Sequence, residues 1–330
     1  MSSPEPEVLV VERELSGIRL NDLLARSWPG VRRADLRQLI ANGKVSVNGE
    51  ACTSDRKLRV GDVVIVGEAP AALVSNASKP PAPPLAVLAE TDSVLVVDKP
   101  AGTPSVPARH GNERGVHGQL KDLRPSDDLR IVHRLDRNTS GCLVLAKGVE
   151  AARHLDAQFR ERLVQKTYIA LVGGVPHQDA FAIDAWLGPD RRRPGMVVAA
   201  DREKKGYREA HTDVEVRRRF RRHALVALSP KTGRGHQLRV HLQSIGHPIV
   251  CDEDYAGERL LLSRLKPDYK KRTGVEERPL LRRMFLHAER VKFLDVDGAE
   301  LEVEAPLPED LAVALRHVEK HASARRPHCD

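Results

Sequence analysis

Residues 67–84 read GEAPAALVSNASKPPAPP, and five prolines within one short alanine- and serine-rich stretch constrain this chain more than any other feature. Proline fixes φ and has no amide hydrogen, so such a run neither continues a helix nor pairs inside a sheet. The segment is a semi-extended linker with a separately folding part on each side. A length of 330 residues suits two domains. We therefore expect an N-terminal extension over 1–16, a small domain over 17–66, the linker over 67–84, a larger domain over 85–318 and a flexible tail over 319–330.

Several function classes are excluded early. No run approaches the eighteen or so apolar residues of a membrane span, so no membrane association is expected. The opening MSSPEPEVLV is acidic where a secretory signal is basic, so a cytoplasmic location is expected. Cys52, Cys142, Cys251 and Cys329 are far apart and form no C-x-x-C pair, which argues against a disulfide framework and a thiolate zinc site. Neither metal nor cofactor is expected. Charge is more informative. There are 54 Lys and Arg against 46 Asp and Glu, a net +8, and residues 191–222 alone hold 12 basic against 5 acidic residues. A polyanion is the natural partner. Aromatics make up only 3% of the chain, so phosphate and shape contacts outweigh base stacking. Nothing in the sequence demands more than a monomer.

In the small domain, Leu20, Leu23, Leu24 and Trp28 recur at helical spacing, and after Pro29-Gly30 so do Leu36, Leu39 and Ile40. Lys44–Val47 alternates as a strand does, Asn48-Gly49 signals a hairpin turn, and Gly61-Asp62 leads into the strand Val63–Val66. Arg32, Arg33 and Arg37 lie off the apolar stripe of the second helix, with Lys44 just past its end, a set suited to a phosphate backbone. Through RLNDLLA, RRADLRQLIANGKVSVNGE and GDVVIV, this stretch resembles the S4 RNA-binding domain.

The larger domain reads as many short strands broken by few helices. Strands are expected at Val94–Asp98, Ile131–Asp136, Cys142–Ala146, Thr167–Val172, Leu225–Leu228, Val291–Phe293 and Leu301–Val303, with a helix over about 149–163. That pattern implies an α+β domain around a mainly antiparallel, mixed sheet, with no internal repeat.

Three segments carry chemistry. In IVHRLDRNTSGCLVLAK (131–147), an extended 131–136 puts Arg134 and Asp136 on one face and His133 and Leu135 on the other. The turn at Asn138, Thr139, Ser140 and Gly141 supplies small hydrogen-bonding residues that can hold the carboxylate. A protein-kinase reading fails, because Asp does not directly follow Arg and no Gly-rich loop is present. A glycosidase reading needs a second acid facing Asp136, and nothing marks one. In SPKTGRGHQLRVHLQSIGHP (229–248), Leu238, His241, Leu242 and Ile245 form a helical stripe. Gly233, Arg234 and Gly235 then feed the helix N-terminus, where free amides can receive an anion. His236 and His241 lack a third ligand for a metal. In QKTYIALVGG (165–174), Lys166, Tyr168 and Ala170 share a strand face.

Taken in order, VLVVDKPAGTPSVP, IVHRLDRNTSGCLVLAK, AQFRERLVQKTYIALVGG, SPKTGRGHQLRVHLQSIGHPIVCDEDY and FLHAERVKF resemble the RluA-type family of RNA pseudouridine synthases over nearly the whole chain. The resemblance implies isomerisation of uridine in structured RNA without a cofactor, with large-subunit ribosomal RNA the first expected substrate and transfer RNA the second. It implies that Asp136 is the catalytic aspartate, that Tyr168 packs on the base and assists proton removal, that Arg239 pairs with the carboxylate, and that Arg134 helps flip the nucleotide. His133, Thr139, Gly233, Arg234, His236 and Gln237, in the same motifs, are candidate substrate-binding residues. Gly235 departs from the family's usual threonine, and 109–129 follows no family pattern. The rival reading is a non-catalytic RNA-binding or ribosome-assembly factor on the same fold.

Overall fold

The structure, a computed structural model, describes residues 7–28, 31, 33–67, 85–106, 115–266, 268–269, 274 and 276–322, with only the backbone for 33–35. The described residues fall into two compact units, one within 7–67 and the other within 85–322; apart from Gly67, the stretch expected as a linker, 67–84, lies outside the described residues.

The N-terminal unit comprises β1 (Glu7–Val10), α1 (Leu20–Ser27), α2 (Arg33–Ala41), β2 (Val45–Val47), β3 (Glu50–Ala51) and β4 (Val63–Val66). Its antiparallel sheet has the order β1-β4-β2-β3. Asn48 and Gly49 both adopt positive φ, at 55° and 83°, as the tight turn between β2 and β3 requires. Asn48 also ties the hairpin to β4, because its Oδ1 accepts the Val63 N–H at 2.8 Å. Leu20, Leu24, Leu36, Val47, Val64 and Val66 are buried together, which confirms the helical and strand periods read from the sequence. One boundary is corrected: residues 7–10, expected in a separate extension, pair with β4, and Val11 is buried in the core.

The larger unit runs β5 (Ala86–Glu90), β6 (Val94–Lys99), α3 (Gly115–Leu123), β7 (Leu129–Ile131), β8 (Ser140–Lys147), α4 (Gly148–Glu161), β9 (Gln165–Gly173), β10 (Ala180–Pro189), β11 (Val197–Ala200), β12 (Arg208–Arg219), β13 (His223–Pro230), α5 (Gln237–Ser244), α6 (Leu262–Leu265), β14 (Leu286–Leu294), β15 (Glu300–Glu304) and α7 (Glu309–Ala322). One 11-stranded sheet has the order β11-β10-β12-β13-β9-β14-β8-β6-β5, with β15 beside β14 and β7 beside β8. The β14–β8 pairing is parallel, and the others among the described residues are antiparallel, so the unit is α+β around a mainly antiparallel sheet. Period-two alternation in β6 turns Val94 and Val96 toward Ala151 and Leu155 of α4, and Leu95 and Val97 toward Val116 and Leu120 of α3. Both faces are covered, which is why β6 reads as a continuous apolar run.

The parallel seam between β8 and β14 demands a glycine. Gly141 has φ of 112°, and a Cβ there would lie 2.2 Å from the Ala288 carbonyl oxygen. His287 braces the same seam: its Nε2–H donates to the Ala305 carbonyl at 3.2 Å, leaving Nδ1 to accept from Ser140 Oγ at 3.0 Å.

Two further expectations are corrected. The strand expected over 131–136 ends at Ile131. Beyond it, the N–H and C=O of Leu135 both bond to Ser105 Oγ at 3.0 Å, so a side chain takes the place of a neighbouring strand. The domain does not stop at 318, because α7 continues to Ala322, and Val318 and Ala322 are buried. Cys52, Cys142 and Cys251 are free thiols, and Cys329 lies outside the described residues. No helix among the described residues is long and apolar enough to cross a membrane.

Candidate active site

A cleft of about 910 Å³ opens between the loop after β7, the end of α4, the start of β9 and the loop leading into α5. Among the described residues lining it, eight are Lys or Arg and one, Asp136, is acidic. A glycosidase reading needs two facing carboxylates, and among the described lining residues Asp136 has no such partner.

Asp136 is fixed from below by its own backbone. Leu135 is buried and doubly bonded to Ser105, and the Thr139 N–H closes a turn onto the Asp136 carbonyl at 3.1 Å. Beneath the turn lies Lys99, a fully buried lysine. Its Nζ donates to the carbonyls of Thr103 at 2.7 Å, Arg137 at 3.0 Å and Pro100 at 3.1 Å, welding the loop after β6 to the loop carrying Asp136. Burial pushes this ammonium down to about 7, with the Asp136 carboxylate pulling the other way. From the far side, Arg283 grips Asp310 of α7 at 2.6 and 2.9 Å and donates to the Asn138 carbonyl at 3.3 Å.

Arg239, on the buried helix α5, brings its Nη1 to 3.8 Å from Asp136 Oδ2. Its close partner is a different acid. Nε and Nη2 fork onto the buried Asp252 at 2.7 Å each, and Nη2 also reaches Asp254 at 2.8 Å. The guanidinium stands 4.6 Å from the centroid of the Tyr255 ring. Burial alone would weaken its charge, but Asp252, Asp254 and Asp136 hold it firmly cationic. Arg239 thus presents one nitrogen to Asp136 from a guanidinium that Asp252 has already oriented.

Tyr168, on β9 opposite Ala288 and Leu228, faces the same cleft. Burial, reinforced by the Asp136 charge, lifts its phenol well above the usual range. Its hydroxyl is therefore a protonated donor at neutral pH.

All ten residues that the sequence places in the larger domain's site line this cleft: His133, Arg134, Asp136, Thr139, Tyr168, Gly233, Arg234, His236, Gln237 and Arg239. Arg134 is exposed and lines the cleft. Two of the ten are braces. His133 accepts the Val144 N–H through Nε2 at 2.9 Å and stacks on Phe159 at 4.9 Å, and burial drives its ring down to about 3, so it stays neutral. Gln237 accepts from Thr232 Oγ1 and the Arg234 N–H and donates to His211 O and Thr212 Oγ1, all within 2.8–3.0 Å, which exhausts its amide. His236 has φ of 54° and shares a hydrogen bond of 2.8 Å between Nδ1 and the Tyr255 hydroxyl. That hydroxyl also accepts the Val197 N–H at 3.0 Å.

In the S4-like unit, Arg37 is exposed on α2 and Lys44 is exposed just before β2. Arg32 and the side chain of Arg33 lie outside the described residues. Within the basic run 191–222, four of the twelve cations are paired: Arg193 with Asp190, Arg217 with Glu289, Arg218 with Glu319 and Arg219 with Asp179. Sequence reasoning missed Lys99, Asp252, Tyr255 and Arg283. Their signals were present in KPAG, in CDEDY and in the arginine before FLHA, but only the fold shows which polar group each one meets.

Comparison with known proteins agrees with this geometry. The RNA pseudouridylate synthase family model matches residues 93–244, and the S4 domain model matches 18–64. The ribosomal large subunit pseudouridine synthase C of Vibrio cholerae is 33% identical over 315 residues, 92% of this chain and 94% of the relative. Its namesake in Escherichia coli K12 is 34% identical over 325 residues, 95% and 97% of the two chains. Among solved structures, human RNA pseudouridylate synthase domain containing 4 aligns with a TM-score of 0.55 at 26% identity, covering 71% of this chain and 92% of that one. Human RNA pseudouridylate synthase domain containing 1 aligns with a TM-score of 0.53 at 28% identity, covering 68% and 83%.

Proposed function

From the premise that this chain belongs to the RNA pseudouridylate synthase family and is an RNA pseudouridine synthase with an N-terminal S4 domain, we propose that it isomerises uridine in large-subunit ribosomal RNA, with Asp136 as the reacting carboxylate. The substrate follows from the relatives that match nearly its full length. The observation that carries the site is that Asp136 is the one acid among the described residues of a cleft that also holds eight Lys or Arg, with Arg239 beside it at 3.8 Å.

The chemistry breaks the bond between ribose C1′ and N1 of uracil and joins C1′ to C5; C5 then loses its proton and N1 gains one, so the product is an isomer of the substrate. Asp136 supplies the anionic oxygen that the electron-poor centre meets. Arg239, oriented by Asp252, stabilises charge at that carboxylate without rearranging. Tyr168 offers a ring for the extruded base to pack on and a protonated hydroxyl, which suits it to donate a hydrogen bond rather than to take up a proton as the family resemblance implies. Extrusion costs a few kcal/mol, which base packing and phosphate contacts offset.

The test is Asp136→Asn, assayed for pseudouridine in large-subunit ribosomal RNA and for RNA affinity. Modification should vanish while binding persists. Continued modification would remove Asp136 from the chemistry, and a wild-type protein that binds RNA but modifies none would favour the assembly-factor reading.

A further inference from the structure

We propose that Arg160, Arg162 and Lys166 form a phosphate-binding ledge that holds the RNA strand on the α4 side of the cleft. The inference rests on the pseudouridine synthase reading and adds a subsite to it.

The first observation is charge without counter-charge. All three residues line the cleft with Asp136, yet among the described residues none has a carboxylate partner, whereas Arg193, Arg217, Arg218, Arg219, Arg283 and Arg290 are all paired with acids. Lys166 is half-buried, and its ammonium stands 5.7 Å from the centroid of the Phe159 ring. Burial pulls it below the ordinary lysine range with no acid opposing. Arg234, in the same cleft lining, is lowered first by burial and then by the neighbouring charges of Arg208 and Arg162. Uncompensated like charges in a cleft cost stability, and a bound polyanion relieves that cost.

The second observation is conformational. Arg162 caps α4 with φ of 62° and ψ of 28°, the left-handed conformation in which glycine is favoured at a helix end. Its N–H closes the helix onto the Gln158 and Phe159 carbonyls, a bond that glycine would make equally well. The side chain is therefore not required by the cap. The helix C-terminus favours a cation such as Arg160 in its last turn, but that effect does not account for Lys166, which sits on β9. Three cations lining the cleft from the end of α4 and the start of β9 suit phosphodiesters of a single strand.

The test compares full-length Arg160→Gln, Arg162→Gly and Lys166→Met with wild type, using deproteinised large-subunit ribosomal RNA, its binding measured between 50 and 200 mM salt (roughly the range over which phosphate contacts are titrated). Each substitution should weaken binding and flatten the slope of log affinity against log salt by about 0.7, the value for one single-strand phosphate. Arg218→Gln, which removes a cation paired with Glu319, serves as the control and should leave the slope unchanged. Arg162→Gly should also raise the melting temperature by about 2–4 °C, a change opposite in sign to that of lost structural support. Unchanged slopes in all three variants, or an Arg162→Gly protein that melts lower and binds normally, overturn the ledge. If wild type modifies the RNA while the slopes stay fixed, only the ledge falls; if wild type modifies none, the premise falls with it.

Discussion

At the scale of single residues, the site depends on groups that hold its cleft-lining residues in place. Asp252 holds Arg239 through two hydrogen bonds of 2.7 Å and is itself buried. Replacing it by Asn leaves a buried guanidinium short of one charge, so Asp252→Asn should cost about 3–5 kcal/mol of stability. It should also lower single-turnover pseudouridine formation more than RNA affinity, and denaturant melts with single-turnover assays check the pair. His133 provides a pH dependence. The unfolded chain protonates this ring near its ordinary value of 6.5, whereas the folded protein resists until about 3. Between those values the unfolded state binds more protons, so stability rises with pH across the window and is eroded as acid is added. Glutamine at 133 can accept the Val144 N–H without titrating. His133→Gln should therefore flatten the acid limb of stability against pH, as followed by urea unfolding, and limbs that stay parallel to wild type would contradict this role.

At the scale of elements, the β8–β14 seam decides whether the catalytic loop has a base to stand on. Gly141 is where backbone meets backbone, so Gly141→Ala combines a disfavoured φ with a clash against the Ala288 carbonyl and should cost at least about 2 kcal/mol. A drop in melting temperature with loss of modification is the expected result, and a fully stable active variant would show that the seam yields. How much of the element structure could be read in advance depended on who supplies the hydrogen bonds. The helices α1 and α4 and the strands β6, β8, β9 and β13 follow from local periodicity, since their apolar faces are continuous. The strand over 131–136 was misread because Ser105, thirty residues away in sequence, takes both backbone groups of Leu135. The long strands β10 and β12 were not anticipated: charged residues alternate with buried Ala210, Thr212 and Val214, and the pairing that selects extended backbone comes from partners distant in the chain.

At the scale of the molecule, two units divide the labour: the S4 domain offers exposed Arg37 and Lys44, and the larger unit holds the chemistry. Arg37→Glu should weaken binding to large-subunit ribosomal RNA and flatten its salt dependence by about 1 in slope, leaving the rate of the bound complex nearly unchanged; an unaltered slope would deny α2 a phosphate contact. The α+β class was legible in the sequence through apolar period, and the motif residues that line the cleft through their resemblance to a family, because both signals are local along the chain. Tertiary structure alone decided which groups support them. It set Lys99 beneath the turn of Asp136, gave Arg239 to Asp252 before Asp136, and left Arg160, Arg162 and Lys166 lining the cleft with no acid partner among the described residues. The physical reason is that a charge is defined by its neighbours: pairing and burial depend on residues far apart in sequence, and no local pattern records which carboxylate a buried cation will meet.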